Sequence, residues 1–300
     1  MASDPPRPRE PARPRVVVIS GGTDGMGRAL ALGRAARGDH VFAIGSNAGK
    51  GERLLADASA ATAAGTIEFI RADLSTVAGT RAAIATITAS TPMIDALALF
   101  ANRQAPRRIE TSEGLEATFA IYYLSRHLLS HVLTPALSAS ATPVVVNVAG
   151  VGITKGSIQW EDLQLIGRYS MIRAQLQAGR ANDLLGVGYA AEHGRDVPYV
   201  LYHPGFTRSG DLSVLSAPLR TAIRIGARLT ARPIEASVAP IHDFIDNPPT
   251  TPLTAIDRGT PVSLTLPTLD PTDAVRLAEA TAALIERLDS VRKQSDALEG

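Results

Sequence analysis

The sequence predicts an α/β fold: a doubly wound parallel sheet with helices on both faces. Two observations carry that expectation. Short apolar or β-branched runs alternate with longer stretches of helical periodicity along the first two thirds of the chain. That is the pattern of parallel strands joined by crossover helices. The first such run, Val16-Val17-Val18-Ile19, passes straight into Ser20-Gly21-Gly22-Thr23-Asp24-Gly25-Met26-Gly27 and then into Arg28-Ala29-Leu30-Ala31-Leu32. Strand, glycine-rich turn and helix in that order suit a nucleotide-binding crossover. With 300 residues, 45 % of them hydrophobic, the chain can bury one large core.

The elements follow in order. Val16–Ile19 reads as a buried strand, because a strand covered on both faces is apolar at every position. His40–Gly45 is the second strand, with helix following through Leu54 to Ala64. Thr66–Ile70 is the third, ending in Ala72-Asp73-Leu74-Ser75, and a helix runs near Arg81–Ser90. Ile94–Phe100 is the fourth, and a long amphipathic helix spans about Glu113–Leu133. Pro143–Val148 is the fifth, followed by a helix near Met171–Glu192. Tyr199–Tyr202 is the sixth, closing on His203-Pro204-Gly205. A sheet of this kind is of the Rossmann type, with right-handed crossovers and a ligand at the carboxyl edge of its strands.

Gly210–Pro271 breaks the alternation. It is rich in Pro and Thr, with helical patterns near Ser213–Leu229 and Pro233–Phe244. A segment in this place is expected to cover the cleft. A last helix, about Thr272–Leu288, repeats apolar residues by three and four at Val275, Leu277, Ala278, Ala282, Ile285 and Leu288. The expected organisation is a disordered Pro/Arg-rich tail over residues 1–15 and a single domain over 16–300, with the cleft-covering segment at about 210–270.

Composition narrows the function. The net charge is +1, which argues against nucleic acid as a partner. There is no cysteine, hence no disulfide, thiolate zinc site or Cys nucleophile, and a cytoplasmic setting is compatible. No apolar run approaches the ~20 residues that span a bilayer. A small-molecule substrate remains as the expected partner.

In the glycine loop, Gly21 permits the turn, Gly25 lets a pyrophosphate approach the backbone, and Gly27 lets helix and strand pack closely. The helix N-terminus adds N–H groups and a positive dipole end. The end of the second strand bears on the choice of dinucleotide. An acid there would bind ribose hydroxyls; the chain has Gly45-Ser46-Asn47 instead. Ser46, Asn47 and Lys50, with Arg28 nearby, suit a 2′-phosphate, so NADP is expected over NAD.

Taken together, the chain resembles the short-chain dehydrogenase/reductase family over roughly residues 15–210. Within it, the closest resemblance is to the retinol-dehydrogenase-like and WW-domain-oxidoreductase-like branch. Ser20–Gly27 is similar to the family's Thr-Gly-x-x-x-Gly-x-Gly. Asp73-Leu74 resembles its adenine-contacting pair, and Asn147 its fifth-strand Asn. Trp160-Glu161-Asp162-Leu163 resembles the segment before the catalytic helix, and Pro204-Gly205 the pair beside the nicotinamide. The resemblance implies a dinucleotide-binding set of Ser20, Gly21, Thr23, Asp24, Gly25, Met26, Gly27, Ser46, Asn47, Asp73, Leu74, Pro204 and Gly205. It also implies pairing of two copies through the long helices, as a homodimer.

The family reduces carbonyls or oxidises alcohols with an Asn, a Ser, a Tyr and a Lys. Hydride arriving at a carbonyl leaves an alkoxide that needs a proton and hydrogen-bond donors. In this chain the corresponding positions read Tyr122, Gly150, Gln175 and Gly179. Two replacement donors are candidates. Tyr169 and Arg173 form a Tyr-x-x-x-Arg pair that would share a face of a helix, the arginine lowering the tyrosine pKa. Tyr122 is expected in or beside the cleft, able to donate to a ligand. His127 and His131 stand four apart but lack an evident third ligand, so no metal is expected. Glu161 and Asp162 read as an acidic helix start and His203 as structural.

Three functions follow as expectations. The first is an oxidoreductase of biosynthesis, using NADP(H) or NAD(H) on a small, largely apolar carbonyl or alcohol, with a non-standard proton donor. The second is a non-redox enzyme such as a cyclase, isomerase or dehydratase. The third is a catalytically inactive nucleotide-binding or regulatory protein.

Overall fold

The computed structural model describes residues 13–153, 155–205 and 233–299. One sheet of eight strands runs through them in the order β3-β2-β1-β4-β5-β6-β7-β8. The strands are β1 (Val16–Ser20), β2 (His40–Gly45), β3 (Thr66–Arg71), β4 (Ala96–Leu99), β5 (Val144–Val148), β6 (Tyr199–His203), β7 (Leu253–Asp257) and β8 (Thr260–Pro261). The first seven pair in parallel; only β8 is antiparallel, on β7. The order reverses between β1 and β4, which opens a crevice at their carboxyl ends.

Successive side chains of a strand point to opposite faces, and β1 fills two cores in this way. Val17 and Ile19 join Leu30, Val41, Leu54 and Ile241 on one side. Val18 joins Phe42, Leu97, Leu129, Val145 and Leu277 on the other. Helices α1 (Gly25–Ala36), α2 (Ala48–Ala60) and α6 (Ile234–Asp246) cover the first face. Helices α3 (Val77–Ser90), α4 (Ala117–Ser138), α5 (Met171–His193) and α7 (Pro271–Glu299) cover the second. Each of α1, α2, α3 and α5 starts on a side-chain cap, from Asp24, Asn47, Thr76 and Ser170 respectively.

Helix α4 is not uniform. A single turn, Ala117–Phe119, leads into a π-helical stretch, Ala120–Leu124, and then into Ser125–Ser138. Glu116 starts it, accepting hydrogen bonds from the backbone of Thr118 and Phe119 at 2.8 and 2.7 Å. A π turn holds one residue more than the α repeat, and such turns are frequent at functional sites.

Part of the segment expected to cover the cleft does something else. Helix α6 packs on α1, where the buried Arg34 joins Asp39 (2.5 Å) and Asp246 (2.6 Å). β7 extends the sheet in register with β6, from Tyr199 opposite Leu253 to His203 opposite Asp257. The residues around Ser213–Leu229 lie outside the described ones, as do residues 1–12 of the expected tail. The end of that tail is tied down. Arg13 grips Asp95 with both guanidinium nitrogens, at 2.5 and 2.9 Å, and Arg15 reaches Thr142 at 2.9 Å.

Candidate functional site

The glycine loop sits at the carboxyl end of β1, beside the point where the strand order reverses. Gly21 has φ +71°, a left-handed value that an L side chain avoids, and a Cβ there would lie 2.9 Å from the Ala101 nitrogen. A Cβ on Gly27 would lie 2.2 Å from the Gly21 oxygen. The turn and the start of α1 therefore touch backbone to backbone. Asp24 caps α1, its Oδ1 accepting from the Gly25 amide at 2.8 Å. Ser20 is buried and its Oγ accepts from the Ala101 amide at 3.4 Å. Thr23 is buried where it fills the space above Gly45, and Met26 is half-buried against the first core. This cradle of bare backbone before a helix N-terminus fits a dinucleotide pyrophosphate.

The residues expected at the adenosine end are wired to their neighbours. Ser46 and Asn47 are exposed, and Asn47 Oδ1 accepts from the Lys50 amide at 2.9 Å. Lys50 is paired with Asp24, and Arg28 with Asp57. Both cations near the end of β2 thus already hold a carboxylate, which a 2′-phosphate would have to displace. Asp73, after β3, accepts from the amide and hydroxyl of Ser75 at 2.9 and 2.7 Å, and Leu74 is buried beside it. Pro204 and Gly205 follow β6, Gly205 at φ +86°.

Tyr169 and Arg173 do not form the pair that their spacing suggested. Ser170 caps α5, so Tyr169 lies before the helix and shares no helical face with Arg173. The Tyr169 hydroxyl donates to the Ala105 carbonyl at 2.6 Å, and Arg173 turns to the Arg168 carbonyl at 3.3 Å. Burial pushes the Tyr169 hydroxyl above its usual pKa.

A different tyrosine–arginine pair forms, with the same spacing. Tyr122 lies in the π turn, and the Arg126 guanidinium stacks over its ring, 4.6 Å from the centroid. Arg126 is completely buried, and its hydrogen-bond acceptors among the described residues are all neutral. It donates to Asn147 Oδ1, to the Val148 carbonyl at 2.9 Å and to the Ala101 carbonyl at 2.9 Å. Burial pulls its pKa down to about 10, which leaves it cationic at neutral pH. Burial raises the Tyr122 hydroxyl, while Arg126 and a hydrogen bond from the Gly150 backbone pull it partly back. The sequence carried a signal for this pair, a second Tyr-x-x-x-Arg, but an arginine among Leu and His residues reads as surface.

Asn147 makes Arg126 part of a network. Its amide nitrogen donates to Asn182 Oδ1 at 3.0 Å and to the Tyr199 hydroxyl at 2.9 Å. Asn182 in turn donates to the Tyr122 carbonyl at 2.7 Å, an acceptor within the π turn. Next to it, Asp183 is 1 % exposed and its Oδ1 has no hydrogen-bond partner among the described residues. Burial holds that carboxyl well above the usual range, with Arg180 opposing weakly from 3.9 Å.

Gln175 exchanges amide hydrogen bonds with Asn102, at 3.0 and 3.2 Å, and so links α5 to the loop after β4. A Cβ on Gly179 would meet nothing within 4 Å, whereas one on Gly150 would lie 2.7 Å from Ile153. The chain has only three lysines, Lys50, Lys155 and Lys293, none of them on α5. Asp162 does not begin a helix; its carboxylate accepts from the Ile166 and Gly167 amides at 2.8 and 2.9 Å. His203 is held by Asp257 at 2.7 Å. No described helix is long and apolar enough to cross a membrane.

Comparison with known proteins agrees with this fold. Residues 15–161 match the family model for short chain dehydrogenases. A Streptomyces sp. (strain C5) protein, whose name proposes daunorubicin C-13 ketoreductase activity, is 31 % identical over 277 residues, covering 90 % of this chain and 92 % of that protein. Retinol dehydrogenase 12 of Bos taurus is 30 % identical over 196 residues, 65 % of this chain and 62 % of that protein. The matched stretch spans 60–62 % of the length of the first curated relatives. A short-chain dehydrogenase/reductase of Caenorhabditis elegans, solved with cofactor, superposes with a TM-score of 0.65 at 18 % identity, covering 87 % of this chain and 97 % of that one.

Proposed function

The chain belongs to the short-chain dehydrogenase/reductase family, and from that premise we propose that it is an NADP(H)-dependent reductase of a small, largely apolar carbonyl compound, with Tyr122 as proton donor and Arg126 as its cation. One observation carries the reading: the glycine cradle and the Tyr122–Arg126 pair meet at one place. Gly21 abuts Ala101, and the Ala101 carbonyl accepts from Arg126. When bound, a reduced nicotinamide would supply hydride to the carbonyl carbon. The chain's own residues then serve the oxygen. Tyr122 gives its proton to the nascent alkoxide, and the phenolate left behind is balanced by Arg126 and the Gly150 amide. A hydroxyl with a raised pKa holds its proton at neutral pH, so it suits reduction better than alcohol oxidation. Ser46 and Asn47 as donors, with Lys50 and Arg28 as cations that a 2′-phosphate would take over from Asp24 and Asp57, support NADP over NAD. Cytoplasmic location, homodimeric assembly and a role in biosynthesis belong to the same proposal.

The Gln175–Asn102 pair favours a second reading. With Gln175 at the position expected for the family's acid, the pair offers only neutral amides, which suits a non-redox enzyme such as an isomerase that only orients its substrate. One experiment separates the two. Dinucleotide binding is measured calorimetrically, and a panel of carbonyls is then supplied with NADPH. Loss of reduced-nicotinamide absorbance supports the reductase; turnover by dinucleotide-free protein would replace it with the non-redox enzyme.

A further inference from the structure

The sequence alone left His127 and His131 as a pair without a third ligand. Folding leaves His127 out and gives His131 two partners from a different helix. His131 on α4 and Glu192 and His193 at the end of α5 each offer a ligand atom, and the three atoms lie within 4.8 Å of one another. His131 Nε2 is 3.9 Å from Glu192 Oε2, and His193 Nε2 is 3.6 Å from the same oxygen. No side chain needs to cross the structure to close the remaining gap.

The surroundings orient these groups for ligation. His131 Nδ1 lies 2.9 Å from the His127 carbonyl. A carbonyl can only accept, so Nδ1 carries the proton and the Nε2 lone pair faces the cluster. A backbone carbonyl on the far nitrogen is the usual outer support of a metal-binding histidine. The Tyr189 ring stands edge-on to both imidazoles, with centroids 5.4 Å from His131 and 5.0 Å from His193. Its hydroxyl is fixed at 2.8 Å from Thr134 Oγ1. His131 and His193 are half-buried and Glu192 is exposed, so an ion can enter from solvent while the rings stay ordered.

We propose that His131, Glu192 and His193 form a binding site for a divalent transition-metal ion of the Zn²⁺ class, with water completing the coordination. Two imidazoles and one carboxylate match the preference of Zn²⁺, whereas Ca²⁺ and Mg²⁺ require oxygen ligands throughout. The site is remote from the reaction. α5 leads into the start of β6, so its last turn lies at the amino edge of the sheet, opposite the glycine loop. The ion would clip α4 to α5 and take no part in proton or hydride transfer.

The test uses tag-free protein stripped with a chelator. Calorimetry with Zn²⁺ is expected to show one ion per chain, and Co²⁺ to give the visible absorption of a low-coordinate site. His131→Ala and His193→Ala each weaken binding by more than the ~10–100-fold that loss of an outer-shell partner costs. Glu192→Gln, at an exposed position, weakens it without touching the packing and serves where a histidine variant fails to fold. His40→Ala, which breaks the other described His–Glu contact, that with Glu68, leaves binding unchanged. Absence of stoichiometric Zn²⁺ binding overturns the proposal. So does full-strength binding by a folded His131→Ala/His193→Ala double variant, or by Glu192→Gln.

Discussion

The Arg126 guanidinium lies over the Tyr122 ring, 4.6 Å from its centroid, inside a network of neutral acceptors. A cation buried without a carboxylate is expensive; Asn147, Val148 and Ala101 accept from its two terminal nitrogens, while its Nε has no partner among the described residues. Its uncompensated charge is therefore available to whatever negative charge appears nearby.

Tyr122→Phe is expected to lower the rate of carbonyl reduction by ~10²–10⁴-fold, the usual contribution of a general acid, with dinucleotide affinity retained. Tyr169→Phe, which removes the hydrogen bond to Ala105, is expected to change turnover little. Steady-state rates with NADPH decide between them. Because burial raises the Tyr122 pKa, the reduction rate should hold from neutral pH into the alkaline range before it falls.

Arg126→Met keeps the side-chain length and removes the donors. The acceptors on Asn147, Val148 and Ala101 are then left dry, at ~1–3 kcal/mol each, while release of the guanidinium's own burial cost offsets part of this. A lower urea midpoint at pH 7 is the expected result, together with loss of reduction.

Lys50→Ala tests the cofactor preference. Affinity for NADPH is expected to fall by several fold, as for loss of a charge-assisted contact, while affinity for NADH is unchanged. Fluorescence titration of both reduced dinucleotides reads the difference. Equal losses for the two would remove Lys50 from the 2′-phosphate site.

Removal of residues 1–13 tests the anchor on Asp95. Burial raises that carboxyl, but hydrogen bonds from Arg13, Ser140 and the Val16 amide outweigh it and leave the pKa below 3.8. A depressed acid stabilises the fold above its unfolded pKa, and the gain is lost as pH falls through the folded value. The truncated protein should lose on the order of 1 kcal/mol at neutral pH, discounted because Arg13 is half exposed, and should lose less on further acidification than the parent. Urea titrations at pH 7 and pH 3 measure both.

Much of the fold was legible because parallel strands buried on both faces must be apolar throughout. Val144–Val148 and Val16–Ser20 announce themselves in that way. β7 did not: of Leu253–Asp257 only Ala255 is buried, so its apolar signal is weak, and prolines flank it. The cradle was legible because Gly21 and Gly27 are required by backbone contacts that no other residue allows. The proton donor was harder to read. The Tyr169–Arg173 reading assumed a helix that Ser170 starts too late to include Tyr169. Arg126 and Asp183 look like surface residues in the sequence, and only packing shows them buried.

The π turn at Ala120–Leu124 has a consequence for how this site can change. It holds a residue that an α-helix would not accommodate, and Tyr122 lies within it while Arg126 follows it. Loss of a single residue there would restore the α repeat and swing every later side chain by about 100° relative to those before it. Arg126 would then leave Asn147, and the Tyr122 carbonyl would return to the helix ladder and leave Asn182. An in-frame deletion of one codon is in this sense a more drastic edit than any point substitution in the same helix. Lineages that keep the pair must keep the length of this turn.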